Sequence, residues 1–75
     1  MAAIAEVTDT TFAAEVVQSA IPVLIDFWGP NCPPCKAIAP HVEALAQEHA
    51  DTLKVVKMNI HENMKTAMAY RVTGM

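Results

Sequence analysis

The sequence reads as an α/β domain in which strands and helices alternate, β-α-β-α-β-α, around a parallel sheet. Three observations predict it. Residues 23–28, Val-Leu-Ile-Asp-Phe-Trp, form a run apolar on both faces, as a strand covered on both sides of a parallel sheet requires. Amphipathic stretches of helical period lie on either side of that run. The chain has 75 residues, 53% of them hydrophobic and 17% charged, which suits one small domain and excludes a disordered chain. Parallel neighbours need crossover connections, and these are expected to be right-handed.

Residues 4–7 are short and apolar-leaning, and are expected to form the first strand. Thr8, Asp9, Thr10 and Thr11 then offer side chains that cap a helix. Phe12, Val16 and Ala20 follow at helical spacing, with Ala13 and Val17 beside them. This first helix is predicted to end near Ile21, because Pro22 disfavours helical angles in its predecessor. Residues 23–28 are the second strand, and Gly29-Pro30-Asn31 is a turn. A long helix comes next, with Cys35, Ile38, Val42, Leu45 and His49 on one stripe and Lys36, Glu43 and Gln47 elsewhere. His41 and His49 are expected at the surface or the helix end. Pro40 falls inside it, costing one backbone hydrogen bond and predicting a kink. Residues 53–60 read as a third strand, and 63–70 as a short helix with Met64, Ala67 and Met68 turned inward as gap-filling core. Thr73-Gly74 is a turn. There is no internal repeat, low-complexity tract or linker, so residues 1–75 are taken as one domain.

Charge and composition narrow the function. The net charge is −3, and the five basic residues form no run, which argues against a nucleic-acid partner. No stretch approaches the roughly 20 apolar residues of a membrane span. The N-terminus lacks a basic start and a long apolar run, so no signal peptide is expected and the reducing cytoplasm is the default compartment. Two cysteines are too few for a disulfide scaffold.

Those two cysteines carry the chemistry. Cys32-Pro33-Pro34-Cys35 lies at a strand-to-helix junction, where unpaired N–H groups and the positive end of the helix dipole stabilise a thiolate. Their spacing brings the second sulfur within bonding distance one turn on. Cys32 is therefore the expected nucleophile towards a substrate disulfide. Cys35, expected to be the less exposed of the two, is the resolving thiol. Asp26 interrupts an apolar strand that runs directly towards this turn. Burial there raises its pKa, so that its carboxylate takes up a proton nearer neutrality, which suits it to accept the Cys35 proton. Lys57, on the third strand, is its expected charge partner, and Trp28 is expected to shield the cysteine pair from one side. A zinc site is the competing use of two cysteines, but it wants four ligands, and only His41, His49 and His61 could complete it. Cys35 and His41 face different ways on one helix, so no metal is expected.

The runs Val23-Leu24-Ile25-Asp26-Phe27-Trp28, Cys32-Pro33-Pro34-Cys35-Lys36 and Ile38-Ala39-Pro40 together resemble the thioredoxin family. Val56-Lys57-Met58-Asn59-Ile60 and Tyr70-Arg71-Val72-Thr73-Gly74 resemble its third strand and third helix, so the likeness covers essentially the whole chain. It implies strand order 1-3-2, helices on both faces, and disulfide reduction with no organic cofactor. Electrons would arrive from a reductase of the thioredoxin-reductase kind or from small thiols, and leave to protein disulfides. It also implies that Cys32 and Cys35 react as above, with Asp26 and Lys57 as the proton-handling pair.

Three departures from the family pattern carry expectations of their own. Pro33 stands where the family usually has glycine. It removes an N–H that could face the Cys32 sulfur, predicting a less stabilised thiolate and a helix that starts no earlier than Pro34. Asn31 replaces an aromatic residue, making the partner-facing rim less apolar. Family members continue past Met75 with a cis-proline loop, an antiparallel strand pair and a final helix, so the chain reads as a truncated form. Gly74 and Met75 would be a stub of the substrate-binding loop, with Trp28 as a further substrate contact. The second strand would be left with an open apolar edge, a template for association. Two copies pairing through that strand as a homodimer is the resulting expectation. The alternative function is a fragment that folds by association and serves as an interaction module with little catalysis.

Overall fold

A computed structural model describes residues 4–72. Its elements in chain order are β1 (Ala5–Glu6), a π-helical turn π1 (Ala13–Val17), β2 (Val23–Trp28), α1 (Pro33–Glu48), β3 (Lys54–Asn59) and α2 (Met64–Ala69). The strands form one parallel sheet in the order β1-β3-β2. The fold is therefore the expected α/β arrangement, with β3 inserted between two strands that precede it. Among the described residues no helix is long and apolar enough to cross a membrane.

β2 pairs with β3 along its whole length, from Val23 opposite Lys54 to Trp28 opposite Asn59. β1 is only two residues long, but Val7 N–H donates to the Lys57 carbonyl at 2.8 Å and extends the ladder by one bond. Alternation along each strand separates two faces. On one, Val7, Val56 and Met58 are completely buried, with Phe12, Val16, Val23, Ile25 and Phe27 packed against them. On the other lies α1, whose Cys35 and Val42 are buried.

Several elements depart from expectation. The first helix is one wide turn, closed by Gln18 N–H to the Ala13 carbonyl at 3.0 Å, and it stops well short of Ile21. Ser19 explains the early end: its hydroxyl donates to the Ile21 carbonyl at 2.8 Å and accepts from Ile21 N–H at 3.4 Å, a local bonding pattern that competes with the helix. The threonines before π1 do not cap it. Thr8 and Thr11 bond to each other, and the residue at the N-cap, Phe12, makes no side-chain cap bond. Asp9 caps a different helix. Its carboxylate accepts from Thr66 N–H at 2.9 Å, Thr66 Oγ1 at 2.6 Å and Lys65 N–H at 3.3 Å, all in the first turn of α2. Asn63 completes the tie, accepting from Asp9 N–H at 2.9 Å and donating to the Asn59 carbonyl at 2.9 Å.

The methionines of α2 face outward: Met64 is 61% and Met68 72% exposed, while Thr66 and Ala67 between them are buried. Asp9 sets this rotation, because the Thr66 side chain must turn inward to reach it. The stripe on α1 is also narrower than predicted. Ile38 is 47% exposed and Leu45 38%. The sheet beneath α1 is three strands wide among the described residues, so the edge of the helix beyond β2 has no strand under it. α1 runs unbroken through Pro40 and begins at Pro33, one residue earlier than predicted. Two prolines fit the first positions because those amides have no intrahelical partner to lose.

Candidate functional site

The site assembles where β2 delivers its C-terminal end to the start of α1. Cys32 is extended, with φ −127° and ψ 92°, as the residue before a proline prefers, and it occupies the N-cap of α1. Pro33 and Pro34 then fill the first two helical positions and bring no N–H groups. The first amide available is that of Cys35, and it donates to Cys32 Sγ at 3.2 Å. A sulfur thus takes the place of the oxygen that usually caps a helix. Cys32 and Cys35 are joined as a disulfide, with their Cα atoms 5.2 Å apart.

Cys35 was expected to be the less exposed of the pair, but the order is reversed: Cys32 is 3% exposed and Cys35 9%. The N-cap geometry accounts for this, since it folds the Cys32 side chain back under the first turn, onto the Cys35 amide. Cys35 lies on the wall of a cleft of about 220 Å³ together with Asp26, Trp28, Gly29, Pro30, Lys36, Ala39 and Lys57. Cys35, rather than Cys32, is the cysteine that lines this cleft with the acid.

Asp26 is half-buried in β2, directly opposite Lys57 of β3. Its carboxyl is pushed above the usual carboxylate range, first by burial. The Lys57 ammonium opposes that shift, and the negative charge of Glu6 adds to it. Among the described residues the ion pair within 4 Å is Lys54 with Glu15, at 2.6 Å. Lys57 therefore acts on Asp26 through space and not through a direct bond. Its Nζ instead lies 5.9 Å from the centroid of the Trp28 ring, a cation–π distance. The indole Nε1–H of Trp28 donates to Glu6 Oε2 at 3.0 Å.

The structure thus brings together Cys32, Cys35, Asp26, Lys57 and Trp28. Gly74 and Met75, the expected substrate-loop stub, lie outside the described residues. His41 and His49 are exposed on α1, away from the disulfide. Glu6 belongs to the site and was not singled out from the sequence. An acidic residue near the start of the chain carries no motif, and only strand pairing places it beside Lys57.

Comparison with known proteins gives a consistent result. A family model described as Thioredoxin matches residues 3–75. The chain is 50% identical over 72 residues to thioredoxin 1 of Synechococcus elongatus, covering 96% of this chain and 67% of that protein. It is 49% identical over 72 residues to thioredoxin 1 of a Nostoc species, with the same coverage of both chains. A thioredoxin of Acidithiobacillus ferridurans matches equally, at 49% over 72 residues, 96% of this chain and 67% of that one. The chain spans about two thirds of the length of these relatives.

Proposed function

Because the chain belongs to the thioredoxin family, we propose that it reduces protein disulfides through its Cys-Pro-Pro-Cys couple. The observation that carries this reading is the Cys32–Cys35 bond at the start of α1, with Cys35 on the wall of the Asp26 cleft. In the reduced state, the Cys32 thiolate attacks one sulfur of a substrate disulfide. A mixed disulfide forms, and the other substrate sulfur leaves as a thiolate and takes up a proton. Cys35 then passes its proton to Asp26 and attacks Cys32 Sγ. The mixed disulfide breaks, the second substrate sulfur leaves as a thiolate and takes up a proton, and the Cys32–Cys35 bond closes. Two electrons have moved to the substrate.

Each residue has a physical reason for its part. Sulfur at the N-cap of α1 receives the helix dipole and the Cys35 amide, which favour the thiolate of Cys32. An Asp26 carboxyl raised by burial takes a proton closer to neutrality than an ordinary aspartate does. Lys57 moderates that rise, and Trp28 walls the cleft and contacts substrate. No organic cofactor enters the cycle. The couple is restored by a reductase of the thioredoxin-reductase kind or by small thiols, in a reducing compartment such as the cytoplasm.

Reduction of insulin, followed by turbidity, tests the reading. Turnover above the thiol background is expected for the wild-type chain and none for Cys32→Ser. Equal rates in the two proteins would remove the enzymatic reading.

A second reading rests on the free side of β2. Among the described residues no strand pairs there, and Leu24 and Ile38 are exposed beside it. On this reading two copies associate through β2 and the chain acts as an interaction module. Sedimentation decides it: a dimer at micromolar concentration supports association, and a compact monomer that melts cooperatively refutes it.

A further inference from the structure

A row of charge crosses the sheet on its α1 side. Glu6 of β1 is the register partner of Lys57, and Lys57 is in turn the register partner of Asp26. Register partners in a sheet point to the same face, so the order across the strands is carboxylate, ammonium, carboxylate. Trp28 stands two residues beyond Asp26 on β2 and therefore on that face too. Its Nε1–H donates to Glu6 Oε2 at 3.0 Å, spanning the width of β3. Lys57 Nζ lies 5.9 Å from the centroid of the same ring. One carboxylate on β1 thus touches the tryptophan and stands beside the lysine of the dithiol site.

We propose that Glu6 is a positioning residue for thiol–disulfide exchange: it anchors the Trp28 indole at the wall of the Cys35 cleft and draws part of the Lys57 charge away from Asp26. This rests on the exchange reaction proposed above, in which Asp26 receives the Cys35 proton. The charged groups around Asp26 are Glu6 from β1, Lys57 from β3 and Lys36 from α1, the last on the wall of the same cleft. Of the two carboxylate neighbours of Lys57, Glu6 is exposed, while Asp26 is half-buried. The negative charge of Glu6 also acts on Asp26 in the direction this arrangement requires, raising its affinity for a proton. Since Glu6 faces solvent, its influence weakens as salt rises.

Two variants separate the two roles of Glu6. Glu6→Gln keeps an oxygen that can accept from the indole but removes the charge, whereas Glu6→Ala removes both. Trp28 is the sole tryptophan, so emission and the indole N–H resonance report on it alone. In Glu6→Ala both signals should move, and in Glu6→Gln they should stay near the wild-type positions. In both variants the Asp26 carboxyl, followed by carbon NMR, should titrate at lower pH than in wild type. That difference should shrink at 1 M salt. An unmoved Asp26 titration in Glu6→Gln overturns the charge role, and an unmoved indole resonance in Glu6→Ala overturns the anchor. Neither readout needs turnover. Failure of wild-type insulin reduction would count against the exchange reaction alone.

Discussion

The two faces of the sheet are built from the same three strands and solve opposite problems. Towards π1, Val7, Val56 and Met58 are sealed from water and carry no charge. Towards α1, the same strands present Asp26, Lys57 and Trp28 on the wall of a cleft that Cys35 also lines, with Glu6 beside Lys57 on the next strand. Strand alternation makes this possible: moving one residue along β3, from Val56 to Lys57, crosses from the dry side to the reactive side. The dry face fixes the register, and the register then holds the charges of the other face in line. Stability and chemistry are therefore divided between the faces, with the backbone of β3 as the shared part.

Truncating the dry face should produce the largest effect. Met58→Ala removes a fully buried side chain and is expected to cost about 2–5 kcal/mol of stability. Urea unfolding measures this, and a loss under 1 kcal/mol would mean that the face is not the structural one.

The reactive face should respond in the opposite direction. Burial raises the Asp26 carboxyl, so the folded state holds its proton to a higher pH than the unfolded state does. The stability linked to that proton is complete below the unfolded value, near 3.8, and is lost as pH rises through the folded one. Asp26→Asn should therefore melt at a higher temperature than wild type at neutral pH, while resolving mixed disulfides more slowly. Equal melting at pH 7, with the gap appearing only in acid, would contradict the account of the charged face.

A smaller effect is expected where Asp9 caps α2. Hydrogen bonds from Thr66 hold the Asp9 carboxyl below its usual value. Its contribution is present above the unfolded value and is lost as pH falls through the folded one. Asp9→Ala should lower the melting temperature at pH 7 and approach wild type below pH 3. Parallel curves at every pH would show that the cap acts through shape and not charge. Such an outcome would leave the contrast between the faces intact.

Much of this fold is legible in short stretches of sequence. β2 occupies residues 23–28 as predicted, because a run apolar on both sides has few other uses in so small a domain. β3 at both ends and α1 at its start lie within one residue of prediction. The cysteine pair stands at the helix start, because the turn before it and the prolines within it act locally. The departures fall where distant residues intervene. Met64 and Met68 have the spacing of a core stripe, yet Asp9, far off in sequence, rotates α2 so that Thr66 and Ala67 face inward. Ile38 and Leu45 lie on an apolar stripe broader than the sheet beneath it.

What the sequence determined by itself was the order of the elements, the apolar strand at their centre, and two sulfurs at a helix start. Those properties depend on bonds and angles a few residues long. The neighbourhood of Asp26 came instead from strand pairing: Lys57 beside it, Glu6 one strand farther, and Trp28 bridging to Glu6. Register is fixed by which side chains can be buried together across three strands, so no segment read alone contains it.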